Sequence, residues 1–357
     1  MEKVIRIGAV GCGQIAQIMH LPYLQDSAHF QIQALSDMSP ALLEKVGRKY
    51  GVPEERRYTD YDRMIQSEDV DAVLICNKDH YGPAMKAARC GKHIFVEKPL
   101  AFSTREAGEI AQAARENGVK VLVGYMKCYD PGFTYAAEKI RKMDNIYLAR
   151  FHDFSGSFDY VDKIYDLYGR GDVPAELFKE GKDRERRGMM EELGEGREAL
   201  LPAYFNFIYG IVHDTVLLRR LFGNEGKVLY ADVFKEDNMS VLMQYGDVRV
   251  SLEIGFSGSM PIWDEDIHVY SPECNVSVKF PFPYLKNAPT VVGVTENEPG
   301  TGANQIKSTI NSFDEAYRLE WQHFYDCIVN DKEPMTNAED ALLDIRLAGD
   351  IMRAVRL

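Results

Sequence analysis

Gly11-Cys12-Gly13-Gln14-Ile15-Ala16 follows directly on a nearly continuous apolar run, Val4 to Val10, broken only by Arg6 and Gly8. In the order G-x-G-x-x-A, the first glycine permits a tight turn and the second lets a diphosphate approach the backbone. The small Ala16 lets the next helix lie close on the strand. That helix end presents free N–H groups and partial positive charge to the phosphates, which makes Gly11, Gly13, Gln14 and Ile15 candidate dinucleotide contacts. Asp37 ends a second predicted strand, Phe30 to Ser36, 24 residues beyond Gly13. A carboxylate there accepts hydrogen bonds from the adenosine ribose hydroxyls and repels the extra phosphate of NADP. Met38-Ser39-Pro40 bring no cation, so NAD is favoured over NADP; the plain alternative is an aspartate that caps the next helix. Glu97-Lys98-Pro99 puts a lysine at the carboxyl edge of a sheet, where open α/β sheets bind ligands. A solvated charge is the ordinary alternative. His152 and Asp153, on a later strand, could face a cleft, with core or edge placement as good a reading. The eight histidines show no short ligand spacing, so no metal site is expected.

The elements that position these residues alternate. After the strand at Phe30 to Ser36 come helical Pro40 to Tyr50, a short strand at Arg57 and Tyr58, helical Tyr61 to Ser67 and a strand at Ala72 to Cys76. Helical Gly82 to Cys90, a strand at His93 to Val96, helical Ser103 to Asn117 and a strand at Lys120 to Gly124 complete the series. Strands alternating with helices imply parallel strands joined by right-handed crossovers. Residues 1–125 therefore read as one doubly wound α/β domain, and 126–357 as a second, α+β domain. In the second, period-two runs at Ile146 to Asp153, Lys227 to Phe234, Met239 to Tyr245, Val248 to Phe256, Asp266 to Ser271 and Asn275 to Phe280 predict an open, largely antiparallel sheet. Two amphipathic helices, Phe313 to Asn330 and Ala338 to Val355, close it.

An interval of more than 70 residues separates the first two of those strands. Twelve of the 19 residues from Glu180 to Glu198 are charged, five basic and seven acidic. This mixture reads as a solvated helix face or a mobile connection, with a lid over a site as the alternative. The interval begins with Phe154-Ser155-Gly156-Ser157-Phe158-Asp159-Tyr160, aromatic and hydroxyl-rich as carbohydrate-contacting surfaces often are.

This ordered set resembles the Gfo/Idh/MocA oxidoreductase family over nearly the whole chain. The stretches that carry the likeness are Ile7 to Ala16, His20-Leu21-Pro22, Asn77-Lys78-Asp79-His80, Gly91-Lys92-His93 through Leu100, and Val123-Gly124-Tyr125-Met126. The resemblance implies a Rossmann domain followed by an α+β domain whose open sheet serves oligomer contacts, with dimers or tetramers common. It also implies hydride transfer between a nicotinamide and a secondary hydroxyl of a sugar, glycoside or cyclitol. Lys98 would then sit beside the reacting hydroxyl, with Asn77, His80 and Glu97 near the cofactor. An ammonium there would stabilise a developing alkoxide, and a neutral imidazole can accept the proton.

The imidazole implied is His213, where family members carry a histidine near a helix start. Many relatives have an aspartate four residues earlier; this chain has Tyr209, and Asp214 points elsewhere on a helix. Either another group orients His213, or Tyr209 shares in proton transfer, or the chemistry differs. Ile75-Cys76 stand where Thr-Pro is frequent. Lys127 stands where an arginine is common, as a substrate contact or a surface charge.

Composition narrows the alternatives. At 45% hydrophobic and 27% charged, the 357 residues are those of a folded chain, and a net charge of −13 disfavours nucleic acid and anionic membrane as partners. The opening residues read as no signal peptide. Six scattered cysteines without a C-x-x-C pair fit a reducing, cytoplasmic setting. Two rival functions share the same residues: an NAD-retaining glycoside-cleaving enzyme working through transient oxidation at the sugar's third carbon and elimination, and a non-catalytic NAD-binding regulator.

Overall fold

The computed structural model describes residues 3–158, 161–258, 260–298 and 300–356. Asp159 and Tyr160, at the end of the aromatic and hydroxyl-rich stretch, lie outside the described residues. The chain divides into two compact units: one takes in the chain up to Tyr125 with residues 162–192 and 320–345, and the other takes 126–161, 193–319 and 346 onward.

The first unit is built on six parallel strands: β1 Ile5–Val10, β2 Phe30–Ser36, β3 Arg57–Tyr58, β4 Ala72–Ile75, β5 His93–Glu97 and β6 Val121–Gly124, in the order β3-β2-β1-β4-β5-β6. Every residue of β4 and β6 is buried, as expected for strands covered on both faces. The order reverses between β1 and β4, so the loops beyond Val10 and Ile75 border the crevice at the topological switch point. Local chemistry starts the covering helices. Ser39 accepts from the Leu42 amide at the head of Pro40–Lys49, and Ser103 accepts from the Glu106 amide at the head of Thr104–Glu116.

Two segments expected in the second domain group with the first unit. The helix Ala316–Val329 brings Trp321 to stack on Phe95, ring centroids 4.3 Å apart, and edge-on to Phe30 at 5.1 Å. Burial of those rings against β5 and β2 outweighs proximity in sequence. The charge-rich interval becomes the helix Ala175–Leu193, whose acidic and basic side chains meet this unit. Arg184 pairs with Asp79 at 2.8 Å, Glu191 with Arg105 at 2.6 Å, and Glu192 accepts from the Thr104 amide.

The second unit holds an eight-stranded sheet: β7 Leu148–Ser155, β8 Lys227–Phe234, β9 Asn238–Tyr245, β10 Val248–Phe256, β11 Trp263–Tyr270, β12 Cys274–Phe280, β13 Val291–Asn297 and β14 Asn304–Ile310. The order is β14-β13-β12-β11-β7-β10-β9-β8, antiparallel except where β7 meets β10. Ala149, Phe151, Asp153 and Ser155 point to the covered face of β7, and Leu148, Arg150, His152 and Phe154 to the open one. Period-two reading misses β13 and β14. On β14 six of seven residues are exposed, so no buried face marks it. Among the described residues no helix is long and apolar enough to cross a membrane.

Candidate active site

The glycine turn emerges from β1 at the switch point. Gly11 has a φ of +90°, and a Cβ there would stand 2.6 Å from the Asn77 backbone nitrogen, so both the backbone angle and the close approach of the loop after β4 require glycine. The helix beyond opens with a π-helical turn, Ala16–His20. Gly13 and Ile15 are partly exposed and Gln14 is exposed, facing outward at the head of that helix. Asp37 lies just past β2, buried. Its Oδ2 accepts from the Cys12 amide at 2.8 Å and its Oδ1 from the Ser39 amide at 3.0 Å. The carboxylate is thus held in place by backbone, with lone pairs left for further donors. One such donor is Arg170, whose Nη2 stands 3.3 Å from Oδ2.

Lys98 sits partly exposed at the carboxyl end of β5, before a cis peptide to Pro99. The side chains around it are fixed by a buried relay. The indole N–H of Trp321 donates to His20 Nδ1 at 3.1 Å, so that nitrogen carries no proton, and Nε2–H donates to Glu97 Oε1 at 2.9 Å. Glu97 Oε2 accepts from the Lys98 amide at 3.2 Å. Burial alone would push the Glu97 carboxyl up, but the hydrogen bond from His20 and the neighbouring Lys98 outweigh it and hold it below the usual range. His80, also buried, donates Nδ1–H to the Pro99 carbonyl at 2.5 Å; burial keeps its imidazole below the usual value, hence neutral at pH 7. Asn77 donates to the Asp79 carbonyl at 2.8 Å, closing its own loop.

In the second unit a π-helical turn, Phe207–Ile211, precedes the helix Val212–Phe222, and such turns recur at functional sites. Tyr209 lies on it, its ring 4.7 Å from that of Phe205, and His213 follows, partly exposed. Asp214 turns into the covered face of the sheet. There Asp153 and Glu265 stand directly opposite each other on β7 and β11, and the three carboxylates come within 4.8 Å of one another. Like charges in such a cross-strand pair repel. Lys127 supplies the counter-charge: its buried ammonium bonds to Glu265 and lies 5.4 Å from the rings of both Trp263 and Phe280. Burial pushes the Glu265 carboxyl up to about 7 against the pull of Lys127, and pushes Asp214 well above the usual range. The carboxylates in turn raise Lys127 despite its burial.

A model of the oxidoreductase family with an NAD-binding Rossmann fold matches residues 5–125. The inositol 2-dehydrogenase of Paracoccus denitrificans is 34% identical over 132 residues, 36% of this chain and 39% of that protein. The scyllo-inositol 2-dehydrogenase (NAD(+)) of Bacillus subtilis is 24% identical over 368 residues, 97% of this chain and 93% of its own. Residues 5–125 therefore match the NAD-binding Rossmann domain of the Gfo/Idh/MocA oxidoreductases. The chain spans less than half the length of the Paracoccus denitrificans enzyme and of an uncharacterized Bacillus subtilis oxidoreductase, 39% of each. The fold extends further: a 3-ketoreductase from Actinomadura kijaniata, solved with NADP and TDP-benzene, superposes with a TM-score of 0.76 at 16% identity over 99% of this chain and 98% of its own.

The expected site residues separate between the two units. Gly11, Gly13, Gln14, Ile15, Asp37, Asn77, His80, Glu97 and Lys98 all belong to the first unit, at the carboxyl ends of β1, β2, β4 and β5. Tyr209, His213, Lys127 and His152 belong to the second. Lys127 is no surface charge, because its ammonium is buried on Glu265. His152 is on the open face of the sheet, 3.2 Å from Glu253 and 3.7 Å from Asp264, away from the face that carries Asp153 and Lys127. The strict alternation along β7 sends adjacent side chains to opposite faces.

Sequence reading passed over several residues. His20 and Trp321 gave no sign of their partnership. Glu265 had one: it is in phase with Ile267 and Val269 on β11, a carboxylate on an apolar face. Arg170, between Gly169 and Gly171, was hidden in the long interval.

Proposed function

We propose that this protein is an NAD-dependent dehydrogenase that moves a hydride between the nicotinamide and a ring secondary hydroxyl of a sugar, glycoside or cyclitol. The observation that carries the reading is the first unit's site: a glycine turn that no Cβ could enter, a backbone-held Asp37, and Lys98 at the same sheet edge on the His20–Glu97 relay. These residues fit a dinucleotide. Gly11, Gly13, Gln14 and Ile15 would hold its diphosphate, Asp37 its ribose hydroxyls, and Asn77, His80 and Glu97 would shape the loops beside its nicotinamide half. When bound, the nicotinamide supplies the hydride acceptor or donor.

The chain's own residues handle the proton and the charge. Lys98 places an ammonium beside the reacting oxygen and stabilises the alkoxide character that develops there. Glu97, tied to the Lys98 amide and to His20, positions the backbone from which that ammonium extends. His213 acts as acid and base toward the hydroxyl proton, with Tyr209 one helical turn before it as a further hydroxyl in the relay. Asp37 sets the preference for NAD over NADP. The substrate is neutral and polyhydroxylated, in keeping with the net charge of −13.

The test is a screen of polyols, free sugars and glycosides with NAD and NADP in parallel, following reduced cofactor and product mass. A polyol that reduces NAD is expected, with Lys98→Met abolishing turnover while cofactor binding survives. Full turnover in that variant would remove Lys98 from the mechanism. Aglycone release without stoichiometric NADH would replace the dehydrogenase with the glycoside-cleaving alternative.

A further inference from the structure

Residues 165–174 form no regular helix or strand, yet they are pinned across the dinucleotide cradle at two places. At one, Gln17 exchanges two hydrogen bonds with the Tyr168 backbone, its Oε1 accepting from the amide at 2.9 Å and its Nε2 donating to the carbonyl at 3.0 Å. The same Nε2 reaches the Cys12 carbonyl at 2.8 Å. The Tyr168 ring is flanked by the ammonium groups of Lys45 at 5.8 Å and Lys49 at 5.9 Å. At the other, Asp172 accepts from the Ser39 hydroxyl and from the Ala41 amide, the latter at 2.8 Å, at the head of the helix after Asp37.

Arg170 lies between these anchors. Its guanidinium pairs with Asp37 Oδ2 at 3.3 Å, and its Nη2 is 2.7 Å from the point a Cβ on Gly13 would occupy. It therefore stands over the glycine whose bareness admits a diphosphate. The turn itself, Gly11 to Ala16, carries no cation. A guanidinium adds a full positive charge and two parallel donors to what the backbone amides offer a phosphate. The side chain is 29% exposed, and a Cβ on neither Gly169 nor Gly171 would meet anything within 4 Å, so the arginine has room to swing.

We propose that residues 168–172 are a strap over the dinucleotide and that Arg170 is the ligand of its diphosphate. The inference rests on the reading that the first unit binds NAD. When the ribose hydroxyls take Asp37, the carboxylate keeps its bonds from Cys12 and Ser39, and the guanidinium exchanges the carboxylate for the phosphates beside Gly13. The strap then holds the cofactor until Arg170 lets go.

Calorimetric titration of the full chain with NAD, NADP, ADP-ribose and adenosine tests this, comparing wild type with Arg170→Ala and Arg170→Lys. Hydrogen bonds to charged groups of this kind correspond to about 10- to 100-fold in affinity. Arg170→Ala is expected to weaken NAD and ADP-ribose by that factor, to leave adenosine unchanged and to speed NAD release in a chase; Arg170→Lys recovers part of the loss. Unchanged or tighter NAD and ADP-ribose binding in Arg170→Ala overturns the proposal, because the arginine is then a bystander or a competitor. Weakening confined to NADP also overturns it, by placing the guanidinium on the 2′-phosphate. A wild-type protein that binds neither NAD nor NADP overturns the dinucleotide reading itself, a result distinct from a wild type that binds and a variant that does not differ.

Discussion

Glu265 links the buried charges of the second unit to pH. Its carboxyl, raised by burial to about 7, has an ordinary value of 4.5. A carboxyl whose value is higher folded than unfolded keeps its proton in the native state after the unfolded chain has lost it. The stability it contributes is thus full below pH 4.5 and is lost as the pH rises through about 7. At about 1.4 kcal/mol per pH unit, that interval amounts to about 3 kcal/mol. Glu265→Gln keeps the shape and an acceptor for Lys127 but cannot ionise. Urea unfolding at pH 5, 6, 7 and 8, followed by far-ultraviolet circular dichroism and tryptophan fluorescence, should show wild type losing stability relative to the variant across this range, by about 3 kcal/mol in all. Lys127→Met removes the cation that lowers Glu265, so its loss should continue to higher pH. A Glu265→Gln profile parallel to wild type from pH 5 to 8 would refute the placement of this carboxyl among Asp153, Asp214 and Lys127.

Other perturbations separate tightly built features from incidental ones. Gly11→Ala forces a side chain into a φ of +90° and against the Asn77 backbone, at a cost of about 2–5 kcal/mol, and thermal unfolding should register it together with loss of ADP-ribose binding. His20→Leu leaves the Glu97 Oε1 and the Trp321 indole N–H without the partner that joins them. About 2–5 kcal/mol of stability should go, and Trp321→Phe, which removes one donor, should cost less in the same urea titration. Arg184→Ala breaks an ion pair whose arginine is half exposed, and its melting curve should move by less than the equivalent of about 1 kcal/mol.

Much of the first unit was legible residue by residue. The glycine turn could be read because the sterics of Gly11 and Gly13 belong to near neighbours along the chain, and β4 and β6 because a strand buried on both faces must be apolar throughout. The seven-residue β14 was illegible for the converse reason, having no buried face to impose alternation. Long-range charge placement was beyond the sequence. Lys127 and His152 carry the same letters whether they line a cleft, a core or a surface, and only the pairing of β11 with β7 puts Glu265 opposite Asp153 and Lys127 upon it.

The sequence by itself determined the chemistry that is local: a turn bare of side chains at Gly11 and Gly13, a carboxylate at Asp37, a lysine at the end of β5. Backbone angles and strand burial follow from neighbours along the chain, so they survive in one dimension. The tertiary structure alone decided which distant groups meet. Trp321 reaches His20 across 301 positions and sets its tautomer, and Arg170 comes to lie on Asp37 and over Gly13. A charge or a ring nitrogen takes its state from whatever packs against it, and that partner is chosen by the folding of the whole unit.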